Sequence, residues 1–415
     1  MKKLGNRIWP LIFFSLAANV GNIIYFPVMF YSAFQTVFGL TNTQMGNLTA
    51  AYASLAVPGY LISGWIADKF NSKRLMLISV FSTTAVVFIM ATIPSYSVLL
   101  VLFFCMSITL GLLFWSAMQK VLRMMGDASE QGTIWGIYQG IDGALSLGLM
   151  VGLTAVLGDR LSTPEGMRIL LLVFGIIYLI SGIGFLLTFH YQELSEKYLT
   201  DTGEPVRLSN YVTAVKMPAM WIVAIMSFGV YITSTSFNYV NPYMVNMYAM
   251  PAALASIYGI LLRYGIKIVA SPAGGILRDQ IGNTSKMVAA TALPTLVLVI
   301  VFMFIPRGSQ WTMAAVAVSL IFTFIYRMGN NLCSVPFAEL NVPSNYLGTA
   351  IGMSIFLGYC SDWFLPSMIG RWMDALGGNA YYYIFSVAVA GLSIFVFGAY
   401  LLKRELLRQQ RIENH

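Results

Sequence analysis

The stretch Gly64-Trp-Ile-Ala-Asp68-Lys69-Phe-Asn71-Ser72-Lys73-Arg74 stands between two long apolar runs. Its acid and bases suit a short turn at a charged surface, and Gly64 lets neighbouring helices approach closely. The opening pattern returns as Gly275-Ile-Leu-Arg278-Asp279, 211 positions later and again at the end of an apolar run. Pro27 and Pro242, each preceded by Asn and aromatic residues, lie 215 apart. Two matches at nearly one offset indicate duplicated halves, the arrangement expected of an alternating-access carrier.

Outward from this repeat, the composition agrees. Of the 415 residues, 58% are hydrophobic and 10% charged. A soluble chain of this length carries about 25% charged residues. With a mean hydropathy of +0.74, the sequence reads as a polytopic membrane protein in contact with the lipid bilayer. The net charge of +8 then needs no nucleic-acid partner, because membrane proteins concentrate Lys and Arg on the cytoplasmic side. Cys105, Cys333 and Cys360 fall in apolar segments and read as small buried hydrophobes. His190 and His415 are the two histidines. Neither set suggests a metal site, and no cofactor is expected.

Twelve apolar segments run from about residue 8 to about residue 402, each long enough to cross about 30 Å of hydrocarbon as a helix. The first follows Lys2, Lys3 and Arg7 and continues towards Phe38. It is expected to be a retained transmembrane helix, not a cleaved leader. With both termini inside, sixteen Lys and Arg fall on the inner side and four (Arg160, Arg168, Arg307 and Arg371) on the outer. That asymmetry predicts cytoplasmic termini in the inner membrane. The longest polar interruption, 190–217, divides the chain into residues 1–189 and 218–415. The expected fold is all-α: twelve transmembrane helices in two pseudo-symmetric six-helix bundles joined by a cytoplasmic linker, acting as a monomer.

The segment from Gly64 to Arg74 resembles the loop signature of the major facilitator superfamily between spans two and three. Asn71 stands where that pattern has its second glycine, and Ser72 where it has the first of its paired bases. Asn tolerates a positive φ, so the turn is expected to survive. The second copy keeps the turn glycine as Gly282 and has Lys286 as its later base. The resemblance implies a charge clamp that gates the carrier, formed by Gly64, Asp68, Lys69, Lys73, Arg74, Gly275 and Asp279. A topological anchor is the simpler reading of the same residues. Around Trp115, Lys120 and Ser129-Glu-Gln-Gly132 the chain looks like the anion and sugar-acid permeases of that superfamily, with Gln131 in place of a base.

Seven ionisable residues remain in or near the spans: Lys120, Arg263, Lys267 and Arg327 as bases, and Asp142, Asp362 and Glu339 as acids. Such groups are costly in lipid and mark substrate or proton pathways. Arg263 and Asp142 lie near the midplane by residue count. Arg263 and Lys267, at i and i+4, share one helix face and cannot relieve each other. They need an acid from another helix or an anion. Lys120 can instead snorkel to the inner surface, and Arg327 can brace spans ten and eleven through Glu339. Asp142, Asp362 and Glu339 are candidates for proton coupling, and the first two serve equally well as ion-pair partners. Asn19, Asn22, Tyr25, Trp115, Gln139, Tyr231, Asn238 and Tyr359 complete a plausible substrate cavity.

The expected activity is secondary transport of a small organic anion (a sugar acid or related carboxylate, sulfonate or phosphate), coupled to protons. A neutral-sugar carrier, an exporter of drugs or amphiphiles, and a transporter-like sensor are the alternatives. Walker, His-Glu-x-x-His and Gly-x-Ser-x-Gly motifs are lacking, so an enzyme is not expected.

Overall fold

The computed structural model describes residues 8–126, 131–190, 208–330, 332–333 and 335–413. The expected inner-surface bases Lys2, Lys3 and Arg7, the span-five start at Ser129 and Glu130, and 191–207 of the linker lie outside the described residues. So do the side-chain positions of Gly64, Asp68 and Gln131.

The chain folds as twelve transmembrane helices, and among the described residues there is no strand. Span one runs from Ile8 to Phe38 in four short helices, and span two is Asn42–Lys69. Span three is Ser72–Met90, span four Tyr96–Arg123, span five Gln131–Leu157 and span six Pro164–Thr188. In the second half, span seven is Pro218–Tyr248, span eight Ala252–Ile281, span nine Thr284–Met303 and span ten Thr312–Asn330. Span eleven comprises Ser344–Tyr359, Cys360–Trp363 and Leu365–Leu376, and span twelve is Ala380–Glu413. Ile176, Ile180, Ile183 and Leu187 of span six are all exposed. They recur every three or four residues, so they form one apolar helix stripe suited to face lipid.

Contacts divide the chain into two units, Met1–Leu40 with Ala51–Pro205 and Thr41–Ala50 with Val206–His415. In the first, span one packs on spans five and six. Phe14 meets Phe185 edge-on at 5.9 Å, and Phe26 meets Phe174 at 4.8 Å. In the second, spans seven and nine pack on span twelve around Tyr243, Phe302 and Phe385. The first turn of span two belongs to this second unit. Asp374 accepts hydrogen bonds there from the backbone N–H and side chains of Asn42 and Thr43, at 2.6–3.0 Å. A Cβ on Gly46 would lie 2.1 Å from the Pro366 carbonyl oxygen, so only glycine allows this approach.

The repeated loop is built twice in the same way. Asn71 caps span three by accepting from the Arg74 N–H at 3.1 Å, and Asn283 caps span nine by accepting from Lys286 N–H at 3.0 Å. This corrects the expectation of a left-handed Asn71, whose φ is −63°. An N-cap residue takes extended backbone, and the side-chain oxygen rather than a positive φ is what the position uses. Gly282 does take the left-handed conformation, at φ 67°, and ends span eight.

Candidate substrate and coupling site

Several of the candidate polar residues sit where a helix departs from α geometry. Asn19 and Asn22 lie on a 3₁₀ stretch, Asn19–Tyr25, just before Pro27. Asn238 stands at the break between Pro218–Phe237 and Val240–Tyr248, four residues before Pro242. Asp362 lies on the 3₁₀ turn Cys360–Trp363, four residues before Pro366. A proline has no N–H and its ring crowds the carbonyl four residues back, so each proline loosens the turn that carries the polar side chain. Arg263 lies on a π-helical stretch, Leu261–Gly265. Such insertions are frequent at functional sites.

In the first unit these elements assemble a four-residue cluster. The Asn19 amide donates to Asp142 Oδ1 at 2.9 Å and to Ser146 Oγ at 2.8 Å. Asn22 donates to the same two atoms at 3.2 and 3.1 Å. Asn19 is fully buried, and the Tyr178 hydroxyl donates to its backbone oxygen at 3.4 Å. Ser146 follows Asp142 by four residues, one turn along the same face of span five.

The second unit holds the base. Arg263 donates to Asn238 Oδ1 at 3.3 Å, and Thr235 donates to Asp362 Oδ1 at 2.9 Å. The Arg263 and Asp362 charges attract each other. Tyr231 and Tyr359 stack with centroids 3.7 Å apart and planes tilted by 33°. The second unit thus pairs Arg263 with Asn238, Asp362 with Thr235, and Tyr231 with Tyr359, Thr235 being a partner that sequence reasoning missed. Ser146 was missed likewise in the first.

Other candidates stand apart. Lys120 donates to the Ala67 carbonyl at 3.0 Å, in the last turn of span two, where a cation complements the helix dipole. Lys73 does the same for span six through the Leu186 carbonyl at 2.9 Å and the Phe189 carbonyl. Lys69 lies over the Trp65 ring at 4.8 Å. Glu339 follows the end of span ten and accepts from Arg278 at 2.9 Å and from the Thr284 hydroxyl and N–H at 2.6 and 3.2 Å. Arg278 also meets Asp279 at 3.3 Å. Trp115, Gln139, Lys267 and Asp279 are exposed, while Tyr25, Arg327 and Gly275 are half-buried. No group of three or more metal-ligating side chains occurs among the described residues.

The sequence pattern of the Major Facilitator Superfamily matches residues 11–365. The chain belongs to this superfamily. As a major facilitator it is a multi-pass membrane transporter and not an enzyme. It is similar to the inner membrane protein YihN of Escherichia coli K12, 25% identical over 417 residues that cover 99% of each chain. It is also similar to the inner membrane protein YqcE of the same organism, 24% identical over 409 residues that cover 96% of each. Both names agree with a place in the cytoplasmic membrane. Among solved structures, the nucleoside transporter NupG aligns with a TM-score of 0.72 at 13% identity, covering 96% of this chain and 99% of that one. A bacterial homologue of the lysosomal transporter Spinster aligns at 0.71 and 14% identity, covering 97% and 98%. The fucose–proton symporter FucP aligns at 0.60 and 16%, covering 97% and 98%. These likenesses establish the fold shared by carriers of different substrates.

Proposed function

We propose that this transporter carries a small organic anion, such as a sugar acid or a related carboxylate, sulfonate or phosphate, by alternating access and with proton coupling. The observation that carries the reading is the charge balance within the spans. Glu339 is bound to Arg278 and Thr284 beyond the end of span ten. That leaves Asp142 and Asp362 as the acids away from the span ends, against Lys120, Arg263, Lys267 and Arg327. Even with Lys120 set aside at its helix-end carbonyl, three bases stand against two acids. Such a positive excess suits an anionic substrate, and a forked guanidinium such as Arg263 can bind carboxylate or phosphate oxygens through two parallel bonds. Protons enter through Asp142 or Asp362, and the Gly64–Arg74 and Gly275–Lys286 loops gate the inner side.

A neutral sugar or nucleoside is the second reading. The stacked Tyr231 and Tyr359 rings favour it, because such faces bind sugar and base rings without charge. Uptake into proteoliposomes across a panel of neutral and anionic sugars, with Arg263→Ala beside the wild type, separates the two. The anion reading expects sugar acids to accumulate and Arg263→Ala to lower their uptake at least about tenfold, the loss of one charge-assisted bond. Equal transport of neutral sugars with a silent Arg263→Ala refutes it. Imposing and then collapsing a pH gradient tests the coupling.

A further inference from the structure

The two halves carry one device twice. In the first, a polar pair at i and i+3 of span one, Asn19 and Asn22, holds the span-five carboxylate Asp142. In the second, the pair Thr235 and Asn238 lies on span seven, and Thr235 holds the span-eleven carboxylate Asp362. Both members of the pair recur at an offset of 216, and the acids at an offset of 220. The copies differ: Thr235 stands for Asn19, and Pro366 stands where the first copy has Ser146. Asn238 turns its oxygen to Arg263, whereas both amides of the first half give N–H groups to the acid.

We propose that Asn19 and Asn22 are positioning residues for Asp142 as the proton-exchanging carboxylate, while the second copy serves to hold Arg263. The proposal rests on the proton-coupled reading given above. The step is a simple transfer. A hydronium ion gives its proton to a carboxylate oxygen of Asp142, an O–H bond forms, and water leaves; release reverses it. Asn19 is equipped for both states. Its Nδ2 faces the carboxylate, while its buried Oδ1 has no hydrogen-bond partner. Rotating the amide end for end places that acceptor where a protonated carboxyl presents its O–H. Ser146, which accepts from both amides, can then donate to the same oxygen. Four side chains thus serve an ionised and a neutral Asp142 without moving a helix.

Among the described residues, the ionisable groups on elements packed against span five are few. Span one brings Tyr25, span four brings Lys120 and Arg123, and the turn after span five brings Asp159 and Arg160. Tyr138 stands one turn before Asp142 on the same helix and donates to Met118 Sδ. Tyr178 of span six reaches the cluster through the Asn19 backbone oxygen.

The test needs no substrate. Purified full-length protein in liposomes is followed by infrared difference spectroscopy through an acid-to-alkaline series, reading the C=O stretch of protonated carboxyl groups. The wild type is expected to show a band that Asp142→Asn lacks. Asn19→Leu keeps the volume, and its band is expected to titrate about one pH unit higher because an N–H bond to the charged form is gone. Asn22→Ala, at a less buried position, is expected to move the same way. The exchange variant Asn19→Asp with Asp142→Asn puts the carboxylate on the other side of one hydrogen bond and is expected to regain the band. A wild-type band indifferent to Asp142→Asn overturns the proposal. So does an unmoved midpoint in folded Asn19→Leu and Asn22→Ala, which is what a merely structural role predicts. Failure of the transport reading looks different: no sugar acid accumulates, yet the band and its shift persist.

Discussion

Glu339 shows how a single side chain changes meaning once its neighbours are known. By sequence it is an acid close to a span and a candidate for the proton path. In the fold, one of its oxygens takes three donors, from Arg278 and Thr284, at the N-terminus of span nine. Negative charge at a helix N-terminus is favourable, and the Arg278 pair adds a charge-assisted bond. Replacing Glu339 by Ala removes these bonds and leaves a guanidinium without its best partner. A loss of about 1–3 kcal/mol is expected, read as a lower melting temperature in detergent. Arg263 and Asp142 were legible because a charge inside an apolar run stands out. Ser146 and Thr235 were not, since hydroxyls within helices commonly bond their own preceding turn. Their one signal was spacing: Ser146 at four residues from Asp142, and Thr235 at three from Asn238.

At the scale of the element, breaks in helices carry several of the candidate residues. The prolines at 27, 242 and 366 and the π stretch around Arg263 were readable as residues, but the rotation each imposes was not. Packing of span eight against span ten is set by Gly274, where an added Cβ would lie 2.2 Å from the Met328 carbonyl oxygen. Backbone cannot yield as a flexible side chain does. Gly274→Val is therefore expected to push the two spans apart and cost about 1–3 kcal/mol, visible as reduced thermal stability and reduced yield of folded protein. Span two gives the contrasting case. Its first turn is too polar for a plain membrane segment because Asn42 and Thr43 bind Asp374, and Gly46 lies against Pro366.

For the whole molecule, the distribution of charge predicts orientation. Sixteen basic residues on one side against four on the other predict cytoplasmic termini. A fluorescent-protein fusion at the C-terminus is expected to be fluorescent in cells, and an alkaline-phosphatase fusion there inactive. The same enzyme fused after Arg307, between spans nine and ten, is expected to be active. The reverse pattern would exchange the two sides of the carrier and invert the assignment of both gating loops.

What the sequence by itself determined was the solvent, the number of spans, their duplication and which charges fall within the spans. Each follows from the cost of placing polar groups in hydrocarbon, which composition and segment length already express. What only the tertiary structure decided was partnership. Asn19 meets Asp142 across 123 residues, Thr235 meets Asp362 across 127, and Arg278 finds Glu339 in preference to leaving it for Arg327. Such choices depend on how far each broken helix is rotated about its axis, and local residue patterns carry no record of that angle.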